Sequence, residues 1–225
     1  EHYWIETYGR VALTGEPAVF ENYSNVLNKY FMVTSFQPAP NRFACVFFDI
    51  TQRKQSEDAL RESETKYKSL FEHSTDAIFL AYENIFIDCN QKAMEMLGCT
   101  KEQIIGHSFD RFMPEFQPDG SKTREKTLKK ARAAINGHPQ SYELQHRRYD
   151  GTLFDTEVSL NAFNDRGKYY IQAIVRDITE SKRVQEELLL FKKAIEGSSD
   201  AIGMADKQGN HFYQNKAFTN LLGYT

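Results

Sequence analysis

The chain is short of most features that mark a specialised protein class. Its three cysteines, Cys45, Cys89 and Cys99, are odd in number and fall in no metal-binding spacing. Neither a disulfide framework nor a zinc site is therefore legible, and a reducing setting is expected. No unbroken apolar run exceeds six residues, far below the roughly 20 that span a bilayer. The first residues show no signal-peptide pattern. A cytoplasmic location without membrane contact is expected for this segment, with any anchor of a parent protein lying outside it. Neither sign of charge dominates: 28 Lys and Arg against 31 Asp and Glu leave a net charge of −3. That balance gives no footprint for nucleic acid. Catalytic signatures are missing as well. There is no His followed by an acidic residue and Arg-x-Pro, no Gly-rich nucleotide loop, no Gly-Gly-Asp/Glu-Glu-Phe and no Gly-x-Ser-x-Gly. The segment is expected not to be an enzyme. What is present is ordinary for a globular protein: 40% hydrophobic and 26% charged residues in a chain of 225.

The chain repeats itself. "FFDITQRKQSEDAL" from Phe47 is echoed by "IVRDITESKRVQEELLLF" from Ile174. "TGEPAVFE" from Thr14 matches "NGHPQSYE" from Asn136, and "HSTDAIFL" from His73 matches "GSSDAIGM" from Gly197. "NQKAMEMLGCT" from Asn90 matches "NKAFTNLLGYT" from Asn215. The order is end of unit, whole unit, start of unit. Residues 64–180 are read as one complete domain, 1–51 as the C-terminal half of another, and 198–225 as the N-terminal part of a third. Residues 52–72 and 181–197 are read as helical linkers, and the natural protein is expected to continue in both directions.

Within the complete unit, "DAIFLAY" and "IFIDCN" are two strands with a tight turn at Glu83 and Asn84. Asn90 caps a helix that Gly98 stops. A second short helix starts at Thr100, "PEFQPDG" is a loop, and residues 121–136 form a helix with Leu128, Ala131 and Ile135 as its apolar stripe. Residues 141–148 and 152–163 flank the hairpin signal Asp150-Gly151, and 169–179 is the last strand. Phe154, Thr156, Val158 and Leu160 alternate with Asp155, Glu157 and Ser159, so one sheet face is buried and the helices gather there.

These elements, with "STDAIFL", "MLGCTKEQIIGHSF", "ELQHRRYDGTLFDTEVSL" and the closing "AIVRDIT" in order, resemble the PAS sensory domain of bacterial and archaeal signalling proteins. The resemblance covers nearly the whole chain. It implies an α+β fold: a five-stranded antiparallel sheet with its first strand beside its last, helices on one face around a pocket, and tandem repeats joined by helical linkers. It further implies an input module that relays a ligand or conformational signal to a distal output domain of the same polypeptide, foremost a histidine kinase in a two-component phosphorelay. The alternatives are a ligand-free dimerisation or scaffold array, or the input region of a diguanylate cyclase or transcription regulator. The first half unit departs from the pattern: "NYSNVLNKYFMVTSFQPAP" lacks the Asp-Gly hairpin and carries two prolines.

Strand alternation and the family architecture together nominate a pocket of Ile78, Leu80, Phe112, Tyr142, Leu144, His146, Phe154, Thr156, Ile171 and Ala173. Its occupant would be a small organic molecule; simple core filling is the competing reading. No cofactor is required, and haem and flavin find little support. Haem needs an axial ligand. The helix at 121–136 contains no His, His138 follows it in a turn, His107 opens a loop and His73 sits on the linker side. Only His146 shares a face with Tyr142 and Leu144, where a lone histidine is expected to be a hydrogen-bonded core residue. The Asn-Cys-Arg motif of the photochemical flavin relatives is missing. Cys89 is expected as core filler, and the basic run from Lys122 to Arg132 as a solvated face.

The repeated Asp-Ile-Thr sits where a strand hands over to a helix. Asp49, Thr51, Asp177 and Thr179 can cap orphan backbone N–H groups there, which makes them the expected signal-relay residues. In the linkers, Leu60 and Tyr67, and Val184, Leu188, Phe191 and Ile195, fall on heptad-like stripes. A homodimer through the linker helices is expected.

Overall fold

The computed structural model describes residues 2–223. The chain divides into two compact units, Glu1–Leu70 and Phe71–Thr225.

In the first unit, helix α1 (His2–Thr14) is followed by strands β1 (Ala18–Ser24), β2 (Lys29–Phe36) and β3 (Ala44–Asp49), which form an antiparallel sheet in that order. Val11 of α1 and Val33 of β2 are fully buried. Aromatic rings pair in the same unit: Trp4 meets Phe20 edge-on at 5.4 Å, and Tyr8 stacks on Phe43 at 4.8 Å. The missing Asp-Gly hairpin is replaced by a turn in which Asn28 takes a left-handed backbone (φ 51°), a conformation asparagine tolerates. Helix α2 (Thr51–Glu72) follows directly.

In the second unit, strands β4 (Ala77–Tyr82) and β5 (Ile85–Cys89) form a hairpin. Its turn residues Glu83 and Asn84 both have positive φ, 49° and 67°, the twist that two-residue hairpins need. Helices α3 (Gln91–Leu97) and α4 (Lys101–Ile104), a 3-10 turn at Phe109–Phe112 and helix α5 (Thr123–Ile135) come next. Strands β6 (Gln140–Arg147), β7 (Leu153–Asp165) and β8 (Lys168–Asp177) complete an antiparallel sheet of order β5-β4-β8-β7-β6. The first strand of the unit thus lies beside the last. On β7, Phe154, Thr156, Val158 and Leu160 are buried while Leu153, Glu157 and Asn161 face out. The apolar core lies between this face and the helices, and its buried members all fall between Ala77 and Val175. Cys89 is fully buried among them.

The stripe of α5 differs from its expected composition. Its buried residues are Thr123, Thr127, Ala131 and Ala134, with Leu128 and Ile135 only partly covered. Threonine hydroxyls can turn inward because they bond to their own helix: Thr127 Oγ1 donates to the Thr123 carbonyl at 3.0 Å. Half of the basic run is ion-paired, as Arg124 with Asp110, Lys122 with Glu125 and Lys126 with Asp119.

Helix α6 (Thr179–Gly197) leaves the sheet and has no buried residue. Strands β9 (Gly203–Ala205) and β10 (His211–Gln214) pair, and helix α7 (Lys216–Leu222) follows. No helix among the described residues is long and apolar enough to cross a membrane.

Candidate functional site

The covered face of the sheet encloses a cavity of about 70 Å³. Its floor is built from Phe79 and Ala81 of β4, Ile171, Ala173 and Val175 of β8, Val158 and Leu160 of β7, and Tyr142 and His146 of β6. Leu97, Phe109, Phe112 and Met113 roof it, with Thr127 and Ala131 of α5. The small side chains of α5 leave the space that longer ones would fill. No charged side chain lines the cavity.

Five of the ten nominated pocket residues meet there: Phe112, Tyr142, His146, Ile171 and Ala173. Ile78 and Leu80 do not, because β4 runs in the opposite phase and turns Phe79 and Ala81 inward. Leu144, Phe154 and Thr156 are buried, at 2%, 2% and 0% exposure. Phe154 and Thr156 occupy the neighbouring end of β7, and Leu144 lies between Tyr142 and His146 on β6; none of the three is in the cavity wall. Val158 and Leu160, two and four residues further along the same face of β7, take their place.

His146 is one of four polar side chains in the cavity wall, with Asn84, Thr127 and Tyr142. Its Nδ1 lies 2.7 Å from Thr156 Oγ1, and Thr156 Oγ1 donates to the Leu144 carbonyl at 2.7 Å. Burial pushes the imidazole pKa down to about 4, so the ring is neutral at neutral pH. Burial raises the Tyr142 phenol well above its usual range. Cys89, also desolvated, is raised to about 11 and carries no thiolate at neutral pH.

A second polar feature joins the sheet to α6. Asp177 Oδ1 accepts from the Thr179 amide at 3.0 Å. Thr179 does not cap its helix. Its hydroxyl instead accepts from the Asp155 amide at 3.0 Å, clasping the start of α6 to β7. Arg148 Nη2 donates to Asp177 Oδ2 at 2.7 Å, its Nη1 donates to the Met96 carbonyl, and its guanidinium lies 4.1 Å from the Phe154 ring centroid. Burial raises the Asp177 carboxyl, but Thr179 and Arg148 outweigh it and hold the group below the usual carboxylate range. One arginine thus touches α3, β7 and the end of β8.

The junction after β3 uses the same bonds. Asp49 Oδ1 accepts from the Thr51 amide at 3.0 Å, and Thr51 Oγ1 accepts from the Tyr30 amide at 3.0 Å. Lys29 takes the arginine's place on Asp49 at 2.7 Å. The hydrogen bonds of Lys29 and then Thr51 hold the exposed Asp49 carboxyl at about 2. Outside both junctions a lysine of the helix reaches a strand glutamate: Lys54 to Glu21 at 2.7 Å and Lys182 to Glu143 at 2.6 Å.

The role of Asn90 exceeds the helix cap expected of it. Its Oδ1 accepts from Ile78 N at 2.9 Å and Ala93 N at 3.0 Å. Its Nδ2 donates to Phe71 O at 3.0 Å and Asp76 O at 3.1 Å. This fully buried amide therefore pins the end of α2, the entry to β4 and the start of α3 together. Asn215 makes the same four bonds, to Ile202 N, Phe218 N, Ile195 O and Asp200 O. The repeated Asn in the sequence was the available signal. Beside it, Arg176 grips Asp76 with two bonds of 3.0 and 2.8 Å.

The linker residues are placed on open helices. Leu60, Tyr67, Val184, Leu188 and Phe191 are 61%, 60%, 52%, 66% and 61% exposed, and Ile195 is half-buried.

Residues 75–180 match the family model described as PAS domain. The sensor protein FixL of Bradyrhizobium diazoefficiens is 30% identical over 146 residues, covering 64% of this chain and 28% of that protein. Sporulation kinase A of Bacillus subtilis is 25% identical over 179 residues, covering 79% and 29%. The methyl sulfide methyltransferase-associated sensor of Methanosarcina acetivorans is 26% identical over 133 residues, covering 58% and 13%. The chain thus spans less than a third of these relatives. Among solved structures, the PAS domain of an HTR-like protein from Haloarcula marismortui is 27% identical with a TM-score of 0.45, covering 56% of this chain and 99% of that one.

Proposed function

We propose that this chain, which belongs to the PAS family through residues 75–180, is a sensory input segment of a signalling protein. Occupancy of the cavity changes how α6 leaves the sheet, and the linker helices pass that change on. One observation carries this reading. Strand β8 presents Ile171, Ala173 and Val175 to the cavity and ends two residues later in Asp177, the acceptor that holds the first turn of α6. The output is a distal histidine kinase of a two-component phosphorelay, in keeping with relatives named as a sensor protein and a sporulation kinase. The segment itself is non-catalytic and cytoplasmic, and works as a dimer through its linker helices. Residues 1–51 and 198–225 are parts of further PAS units, a reading supported by the repeated Asp-Thr junction and Asn network. In the parent protein, Asp177→Ala should leave the domain folded and make output insensitive to stimulus; a normal stimulus response in that variant refutes the relay.

The small cavity volume, about 70 Å³, favours a second reading, a ligand-free scaffold. Ala131→Phe distinguishes the two. It fills the cavity and should shift basal output if occupancy is the signal, and leave it unchanged in a scaffold.

A further inference from the structure

His146 has a hydrogen-bonding state that its neighbours decide. The Thr156 hydroxyl has one proton. The Leu144 carbonyl oxygen 2.7 Å away can only accept, so that proton is committed to it. Nδ1 of His146 lies 2.7 Å from the same Oγ1, and two acceptors would repel at that distance in a buried site. Nδ1 is therefore the donor. A neutral imidazole protonated at Nδ1 carries a lone pair at Nε2. His146 lines the cavity and Thr156 does not, so the Nδ1 edge turns into the sheet and the rest of the ring faces the cavity. The residue is only 7% exposed, and Nε2 has no hydrogen-bond partner among the described residues.

The rest of the wall narrows what this acceptor can meet. No carboxylate, lysine or arginine lines the cavity; its other polar side chains are the neutral Asn84, Thr127 and Tyr142. The nearby cations are engaged elsewhere: Lys130 with Gln140 and the Tyr142 ring, Arg148 with Asp177 and the Phe154 ring. A carboxylate ligand would bring its charge into a chamber whose polar groups are all neutral, without a counter-ion, and burying an unpaired charge is costly. An ammonium would meet the same desolvation cost with neutral partners only. A purely apolar guest, or an ether, would leave Nε2 unpaired. A neutral O–H donor with an apolar body satisfies both the nitrogen and the wall. The volume of about 70 Å³ is roughly half that of an apolar cavity known to take benzene, which restricts the body to a short aliphatic chain.

We propose that the cavity binds a short aliphatic alcohol, whose hydroxyl donates to Nε2 of His146, and that it discriminates against ethers and carboxylates of equal size. This rests on the reading of the cavity as the sensory pocket. The test uses the 225-residue chain labelled with 15N, and three guests small enough for the cavity: ethanol, dimethyl ether and acetate. Long-range 1H–15N spectra should show Nε2 of His146 unprotonated in the free protein and shifted on adding ethanol. The ether should bind about tenfold more weakly or worse, and acetate should leave the cavity methyl groups of Val158 and Ile171 unmoved. Thr156→Val should release the tautomer, so that Nε2 becomes partly protonated and the preference for alcohol over ether shrinks. A protonated Nε2 in the unaltered chain, or an ether that binds as well as the alcohol, overturns the proposal while leaving a ligand-binding cavity in place. If none of the three guests perturbs Val158 or Ile171, the alcohol proposal falls, while the pocket reading is decided separately by Ala131→Phe in the parent protein.

Discussion

At the scale of single residues, two side chains carry opposite electrostatic logic. His146 is kept neutral by burial, and Asp177 is kept ionised by its partners. The folded imidazole protonates at about 4, against an ordinary value of 6.5. Between those values the unfolded chain binds a proton that the folded domain refuses. The stability is therefore complete above pH 6.5 and falls as the pH drops toward 4, by up to about 1.4 kcal/mol per pH unit. Asp177 and Asp76 act in a lower window. Both folded values are depressed, so their contribution is present above the unfolded carboxylate value and is lost as pH falls through the lower folded one. His146→Gln should flatten the profile in the upper window by one proton's worth and leave the acid limb in place. Denaturant unfolding at a series of pH values checks this, and equal slopes for the two proteins would show that His146 is not the titrating group.

At the scale of elements, the Asn90 network decides whether the entry to the sheet is ordered. Asn90→Ala removes the side-chain bonds to the amides of Ile78 and Ala93 and to the carbonyls of Phe71 and Asp76; the Ala93 amide keeps its bond to the Asn90 carbonyl at 3.2 Å. A buried group that loses its bond costs about 1–3 kcal/mol before relaxation, so a loss of roughly 3 kcal/mol in domain stability is expected from the denaturation midpoint. Asn90→Asp should cost nearly as much, because it restores the acceptor but removes both donors. A loss below about 1 kcal/mol for Asn90→Ala would mean that water replaces the amide and that the network positions little. How legible these elements were in the sequence depended on their pattern. Strand β7 reads "FDTEVSL", alternates cleanly, and its inward face followed directly. Strand β4 reads "AIFLAY", apolar at every position, so nothing in it fixes which residues point inward. A register shift between Leu80 and Ala81 hides the phase further. The result was Ile78 and Leu80 in place of Phe79 and Ala81. On β7 the face was legible, but the height along the strand was not. Whether Thr156 or Val158 meets the cavity depends on where α5 crosses, and that is a tertiary fact.

At the scale of the whole molecule, the apolar core is unevenly distributed along the chain. Leu188, Leu189, Leu190 and Phe191 are each more than half exposed on α6, and apolar area gains about 25 cal/mol per Å² on being covered. Leu188→Glu with Phe191→Lys is therefore expected to halve the mass seen by light scattering, and an unchanged mass would remove the linker helix as the dimer contact. The same unevenness governs local opening. The core cluster of the second unit starts at Ala77 and ends at Val175 and includes nothing from residues 198–223. Strand β9 is exposed at all three positions, and of β9, β10 and the start of α7 only Asn215 is fully buried. Segments with so little buried area open at low free energy, while core strands open only with the whole domain. Amide exchange should therefore be slow through β4, β7 and β8 and fast through β9 and β10. The amides of Ile202 and Phe218, held by Asn215 at 2.9 and 3.0 Å, should fall between. Asn215→Ala should speed those two without changing β8, because the network it breaks is disjoint from the core that sets the global transition. Exchange at β9 as slow as at β8 would contradict this reading and mean that another strand edge covers the hairpin in solution.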